Sequence, residues 1–217
     1  MFSDPGEILS GEKLFMINID NVERIRQGDV LKEIEYIESY KIDKGHIVIS
    51  TVVFPYVVVL SQDCDLAQDY NKLLENNSIK DENNKKYNQN VLSIMVVPLY
   101  NKNQVFEGSH LQDLDQKLDP IPYLNQKHQL STIAKGILDN NNPRYHFFEF
   151  SNEEEIDLPD CISDFKHFFT VNRDYLIKQK RTKYICSLDI PFREALSHRF
   201  AFYLSRIGLP AFGGSPQ

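Results

Sequence analysis

The stretch that decides the fold is residues 46–60, which read His-Ile-Val-Ile-Ser-Thr-Val-Val-Phe-Pro-Tyr-Val-Val-Val-Leu. No other part of the chain is as rich in β-branched residues, and such residues are enriched in strands. Pro55 lacks the N–H that a central ladder requires, so we expect it at a strand start, a bulge or an edge. The sequence therefore predicts one strand up to Val53 and a second, buried strand over 56–61.

Apolar and aromatic runs on both sides of this stretch predict the remaining elements. A last helix is expected from Pro191, which suits the first helical position, to a cap at Gly208. Its apolar stripe would include Phe200. Strands dominate and do not alternate regularly with helices, so we expect a mainly β fold with some α: a small, bent barrel with loop insertions and a packing C-terminal helix. The further strands are predicted at 30–37, 91–99, 144–150, 166–171 and 184–188.

The 217 residues are consistent with a single domain over 1–217 that carries insertions. Residues 71–90 include seven Asn and little apolar surface, which predicts a mobile insertion. Residues 101–143 predict an irregular insertion with a short helix over 124–138, and residues 211–217 a frayed tail.

Composition excludes several protein classes. No apolar run is long enough to span a bilayer, and charged residues interrupt the first twenty positions, where a signal peptide would need an apolar core. We therefore expect a cytoplasmic protein without a membrane partner. The three cysteines form no CxxC pair, which argues against a disulfide framework and against a structural zinc site. No glycine-rich phosphate loop is present, and no cofactor is predicted.

Charge is distributed unevenly along the chain. The net charge is −7, yet residues 166–206 carry nine Lys and Arg against three Asp and Glu. This distribution is compatible with an ordinary dipolar surface, or with a local basic patch that holds phosphates or a protein partner. The residues of that predicted patch are Lys178, Lys180, Arg181, Lys183, Arg193, Arg199 and Arg206.

Three short segments, in this order, resemble the MazF/PemK family of small toxin barrels. They are Gly28-Asp29-Val30, the run Pro55-Tyr56-Val57-Val58-Val59-Leu60-Ser61, and Val96-Val97-Pro98-Leu99. The resemblance implies an SH3-like barrel, often a homodimer, in a family where many members are endoribonucleases. It also implies a bacterial toxin or phage-defence system, with RNA, an antitoxin or another protein as partner.

The sequence departs from that family at two places. Active members usually carry Thr or Ser shortly after the Val-Pro strand, whereas here Leu99-Tyr100-Asn101 follows. They also carry an Arg in the loop after the first strand, whereas residues 38–55 contain only Lys41 and Lys44 as fixed cations. Lysine lacks the planar fork that clamps a phosphate in two places. The residues thus leave open whether the chain cleaves RNA or is a catalytically inactive adaptor in a larger complex.

The motif Gln62-Asp63-Cys64-Asp65 follows the predicted buried strand. On a strand, Asp63 and Asp65 would point the same way and could contribute to a divalent-metal or acid–base site, as in a metal-dependent hydrolase. Cys64 could act as a nucleophile, although flanking carboxylates disfavour its thiolate. The structural alternative is a small buried Cys64 between carboxylates that cap the next turn.

The aromatic strand that begins at Arg144-Tyr145-His146 supplies the predicted catalytic pair. Residues two apart on a strand share a side, so His146 as general base and Arg144 as phosphate clamp could face one substrate. His167 is an alternative base, and His146 could instead be an ordinary core histidine. If the chain acts on RNA, the predicted site lies between this strand and Asp63–Asp65, whose carboxylates would orient the imidazole.

Overall fold

The computed structural model describes residues 15–16, 24–79, 90–151 and 156–205. Within these residues the chain forms nine strands and five α-helices. In chain order they are β1 Phe15–Met16, β2 Asp29–Asp43, β3 His46–Val59, α1 Asp63–Ser78, β4 Ser93–Pro98, β5 Tyr100–Asn101, α2 Lys102–Glu107, α3 Thr132–Leu138, β6 Tyr145–Phe148, β7 Cys161–Asp164, β8 Phe169–Asn172, α4 Arg173–Lys183, β9 Tyr184–Leu188 and α5 Ile190–Leu204.

The strands form two antiparallel sheets. The larger has the order β1-β9-β2-β3-β4-β8, and the smaller has the order β5-β7-β6. Within the described part of the chain the two edge strands of the larger sheet, β1 and β8, do not pair with each other, so no closed barrel is present there. The fold is a mixed α/β arrangement of antiparallel sheets with a C-terminal helix.

Residues 46–59 form one continuous strand, β3, whereas the sequence predicted two strands there. Pro55 lies inside it, between the register pairs Lys32–Tyr56 and Ile34–Phe54 with β2, and β4 pairs with β3 only from Val57 onward. Pro55 cannot donate a backbone hydrogen bond, and it lies in the part of β3 that does not pair with β4. This agrees with the rule that a strand tolerates proline where a neighbouring strand is absent.

Strand β3 separates two apolar cores. Val57 and Val59 pack into one core, and Val58 packs into the other, so the strand is covered on both faces. Two-sided burial explains why this stretch is a continuous apolar run instead of an alternating one. The second core also receives Leu196 and Phe200 of α5, which are buried as the predicted helical stripe requires.

The predicted insertions are more ordered than their composition indicated. Helix α1 occupies residues 71–78 of the expected mobile insertion, while residues 80–89 lie outside the described residues. Residues 124–130 form a tight turn closed by a single bridge, and helix α3 begins only at Thr132, after a Ser131 cap. Helix α4 and strand β7 were not predicted. Residues 211–217 lie outside the described part. No described helix combines the length and apolar character needed to cross a bilayer.

Strands β2 and β3 extend well beyond the sheet as a hairpin. Lys44 and Gly45 connect them with φ angles of 48° and 81°, the left-handed pair that a two-residue type I′ turn requires. We call residues 35–53 the β arm, and its outer part is exposed on both faces.

Candidate functional site

Asp63 and Asp65 stand in the first turn of α1 and not on a strand. Residues two apart on a helix do not face each other, so the two carboxylates do not form the pair that a strand would give. Asp63 Oδ2 lies 2.8 Å from Arg24 Nη2 and 3.9 Å from Arg193 Nη1. Both aspartates stabilise the start of the helix through its dipole. Asp63 in addition joins α1 to the segment before β2 and to α5.

Cys64 is exposed beside these carboxylates, with Sγ 3.6 Å from Gln62 Oε1 and 3.8 Å from Asp65 Oδ1. It is therefore not the small buried residue of the structural alternative. Across the described ranges, no group of three or more His, Cys, Asp or Glu side chains is arranged to hold a metal ion.

His146 is buried in β6, and its Nδ1 accepts a hydrogen bond of 3.1 Å from Arg199 Nε. Burial, with the nearby Arg199 charge, lowers the pKa of His146 to about 3. Arg199 also donates to the main-chain carbonyls of Asn140, Asn142 and Tyr145. This arrangement is that of a core histidine fixed to α5, which is the alternative left open above, and it gives the imidazole no open side toward a substrate.

Arg144 faces a different partner from His146. Its Nε lies 2.9 Å from both carboxylate oxygens of Asp164, and its Nη2 also donates to Asp164. Asp164 is buried at the end of β7, and these hydrogen bonds raise the pKa of Arg144. Such bidentate pairing fixes the guanidinium plane. The structure thus separates Arg144, His146 and Asp63 into three distinct sets of contacts.

A cluster of titratable groups surrounds Asp164. His167 Nε2 lies 3.8 Å from Asp164 Oδ2, and the Tyr100 hydroxyl lies 3.2 Å from His167 Nδ1. The His110 ring lies against Tyr100, with centroids 4.7 Å apart, and 6.1 Å from that of His167. We call Tyr100, His110, Arg144, Asp164 and His167 the histidine cluster.

Local structure positions each member of the histidine cluster. Tyr100 lies on β5, Asp164 ends β7, and His167 closes the 3₁₀ turn that follows. His110 follows the αL cap of α2 at Gly108, whose φ is 72°. A Cβ at Gly108 would lie 2.2 Å from the Leu118 carbonyl oxygen, so only glycine permits this close return of the loop.

Burial keeps both imidazoles of the cluster neutral near pH 7. It lowers the pKa of His167, against the opposing charge of Asp164, and it lowers the pKa of His110, with His167 adding to the effect. Burial also raises the pKa of Tyr100. The Tyr100 hydroxyl and His167 Nδ1, 3.2 Å apart, are within hydrogen-bond distance, and which of them donates depends on the tautomer of the imidazole.

Neither ring nitrogen of His110 has a hydrogen-bond partner among the described residues, although both are buried. The backbone of Gln104 lies near enough to oppose the lowering of the His110 pKa without forming a well-aligned bond. A pocket of about 270 Å³ opens beside this ring. Aromatic and polar side chains line it, including those of Phe54, Tyr56, Tyr100, Asn101, Gln104 and His110. The pocket is close in size to the smallest ligand sites.

The predicted basic patch is divided by internal contacts. Lys180 is buried against Asp29, Lys183 Nζ donates to the Glu33 carbonyl at 2.6 Å, and Arg199 holds the carbonyls described above. Lys178 and Arg181 are exposed on α4, Arg193 is half-buried near Asp63, and Arg206 lies outside the described residues. These cations do not form one continuous surface in the described structure.

Arg144 and His167 were predicted from the sequence as candidate site residues. The other three members of the histidine cluster were not. The spacing Asp164-x-x-His167 was an available local signal, since it brings the two side chains together across one turn. No local pattern marks Tyr100 or His110, which reach the cluster only through tertiary packing. No protein-family model matches this chain, and no curated protein matches it either.

Proposed function

We propose that this protein is a metal-independent endoribonuclease whose active site is the histidine cluster. The observation that carries the proposal is the half-buried His110, which lines a pocket, lies with its ring 4.7 Å from that of Tyr100, and has no hydrogen-bond partner for either ring nitrogen among the described residues. A base that is neutral near pH 7 and faces a pocket is what abstraction of a ribose 2′-hydroxyl proton requires.

The proposed reaction is an internal transfer at phosphorus. His110 takes the 2′-hydroxyl proton while the 2′ oxygen attacks the phosphorus and the bond to the 5′ oxygen breaks. Tyr100 protonates the leaving 5′ oxygen, and the protonated His110 returns a proton to Tyr100. The leaving alkoxide is a stronger base than a tyrosinate, so the raised pKa of Tyr100 does not prevent this transfer. The products are a 2′,3′-cyclic phosphate and a 5′-hydroxyl.

The other members of the cluster have supporting roles in this proposal. His167, whose Nδ1 lies 3.2 Å from the Tyr100 hydroxyl oxygen, acts as a positioning residue. Arg144 provides a fixed positive charge that acts on His110, and Asp164 holds its orientation. We therefore assign the base to His110 and not to His146, and we keep Arg144 as the cation opposite the developing phosphate charge.

The resemblance to the MazF/PemK family supports this proposal without deciding it. The three resembling segments lie on β2, β3 and β4, which are neighbours in the larger sheet. This adjacency is compatible with an SH3-like arrangement, which remains part of the proposal. It would place the chain in a bacterial toxin or phage-defence system, where an antitoxin would be its protein partner.

The experiment is RNA cleavage in the presence of EDTA, with the new ends identified by mass spectrometry. We expect 2′,3′-cyclic phosphate and 5′-hydroxyl ends, and a loss of about 10²–10⁴-fold in rate for His110→Gln or Tyr100→Phe. His198→Gln, which changes an exposed histidine of α5, is the matched control and should keep full activity. Full activity of His110→Gln, or cleavage only with Mg²⁺ or Mn²⁺, would contradict the proposal.

A non-catalytic adaptor is the second candidate function. It is favoured by the internal neutralisation of the cations that a phosphate would need: Arg144 is paired with Asp164, and Lys180 with Asp29. RNA binding that falls steeply with salt, without any cleavage by the wild type, would support an RNA-binding adaptor. If the wild type neither binds nor cleaves RNA, the remaining function is that of an adaptor for a protein partner.

A further inference from the structure

The β arm presents a mostly apolar face to solvent, which also carries Thr51 and, at its base, Glu35. Side chains alternate between the two faces of a hairpin, and cross-strand partners share a face. In the register of β2 and β3, six large side chains, each 48–74% exposed, fall on the same face. They are Ile37, Tyr40, Ile42, Ile47, Ile49 and Val53. Of the arm's exposed large apolar residues, Val48 alone lies on the opposite face, with Lys41 and His46.

This apolar face is large enough for a stable interface. Scaled by ordinary residue areas, the six exposed fractions amount to roughly 700 Å² per chain, above the ~300–600 Å² of the largest patch on a typical monomer. A standard protein–protein interface buries about 800 Å² per partner. The face of one arm covered by the same face of a second arm therefore provides nearly all of the required area.

The charges of the arm are complementary to those of a second copy. On the side of the apolar face the base carries Glu35, the cross-strand partner of Val53, and the turn at the tip carries Lys44, both exposed. Two arms that pack in antiparallel directions about a two-fold axis place the basic tip of each beside the acidic base of the other. A two-fold interface requires this kind of self-complementary surface.

We propose that two copies of this chain form a homodimer by packing the apolar faces of their β arms against each other, in antiparallel directions. The apolar face supplies the area that is buried when the dimer forms. The charges at the tip and the base determine the relative direction of the two arms. The proposal does not depend on the ribonuclease activity, because no member of the histidine cluster lies on the β arm, although Val53 of the apolar face also lines the pocket beside the cluster.

The first test measures the dimer dissociation constant of the full chain by sedimentation over a range of concentrations. Ile47→Glu places a charge in the apolar face and should raise the constant at least about tenfold, since a two-fold interface meets the change twice. Val48→Glu is the matched control, because Val48 is the next residue of the strand and its side chain lies on the opposite face of the β arm. A wild type that is monomeric throughout, or an equal effect of both variants, would overturn the proposal.

The second test addresses the direction of packing. The Lys44→Glu variant has an acidic tip and an acidic base, and the Glu35→Lys variant has a basic tip and a basic base. Each alone should dimerise more weakly than the wild type, and a mixture should form the heterodimer, because every tip then meets a base of opposite charge. A mixture that associates no better than either variant alone excludes the antiparallel dimer. All substituted positions are exposed, and thermal melting of each variant confirms folding.

Discussion

Lys180 Nζ lies 2.6 Å from Asp29 Oδ2, and both side chains are buried. Asp29 also accepts from Ser187 Oγ and from the main-chain nitrogen of Arg26. Burial raises the pKa of Asp29 and lowers that of Lys180, and each group opposes the shift of the other. The aspartate of the Gly28-Asp29 motif therefore anchors α4 to the larger sheet.

Removal of one member of this pair should destabilise the fold strongly. A buried charge without its partner typically costs about 3–5 kcal/mol, whereas the loss of both charges costs less. We expect Lys180→Met to lower the free energy of unfolding by about that amount, and Asp29→Asn with Lys180→Met to recover part of the loss. Urea denaturation measures both. Lys178→Met, on the exposed side of the same helix, is the control, and an equal effect of the two lysine changes would contradict the prediction.

His146 should make stability depend on pH. Its pKa is about 3 in the folded protein, below its ordinary value of 6.5, so the unfolded chain binds a proton that the folded chain does not. Its contribution is complete above pH 6.5 and falls by about 1.4 kcal/mol per pH unit as the pH drops toward 3. The free energy of unfolding of the wild type, minus that of His146→Gln, should therefore decrease from pH 7 to pH 4. Parallel curves for the two proteins would show that His146 is not buried in its neutral form.

The packing of α5 can be tested at two aromatic residues of the same helix. Phe200 is 5% exposed and lies 5.3 Å from Phe168 and 5.4 Å from Phe165, between ring centroids, whereas Phe202 is 56% exposed. Truncation of a buried Phe typically costs about 3–5 kcal/mol. Phe200→Ala should clearly lower the melting temperature, while Phe202→Ala should change it little. An unchanged melting curve for Phe200→Ala would mean that the helix is not part of the core.

The charge of Asp164 should control the titration of His167. The carboxylate acts to raise the pKa of His167, and Arg144 acts to lower it. Asp164→Asn removes the first effect and leaves the second, so we expect the pKa of His167 to fall further. An NMR titration of the imidazole ring in the wild type and in the variant measures this. A rise in the pKa of His167 would exclude the arrangement described above.

The three cysteines should differ in reactivity toward a thiol reagent. Cys64 is exposed, whereas Cys161 and Cys186 are fully buried, and burial raises the pKa of Cys161 to about 12. The thiolate is the reactive form. We expect one thiol per chain to react rapidly in the folded protein and all three in denaturant. Cys64→Ser should abolish the rapid reaction, and a rapid reaction that persists in this variant would contradict the burial of the other two.

Patterns within single segments were enough to predict the elements whose burial follows a short repeat. The apolar run that ends β3 identified a strand covered on both faces, and the spacing of Leu196 and Phe200 identified the buried stripe of α5. The chemistry of proline also restricted where Pro55 could lie in a sheet. The structure places it where β3 has no second neighbouring strand. Each of these properties depends on residues within one turn or a few positions along one strand.

Which polar residues contact one another depended instead on long-range packing. Lys180 was predicted to belong to a basic surface patch, but it is buried and donates a hydrogen bond to Asp29, which is 151 positions away in the chain. His146 and Arg144 read as a pair on one strand, yet one is bound by Arg199 of α5 and the other by Asp164 of β7. A local pattern reports whether a side chain is apolar and how often it recurs. It contains no information about the distant partner that neutralises a charge or fixes an imidazole, so the histidine cluster could be recognised only once the smaller sheet brought β5 and β7 together.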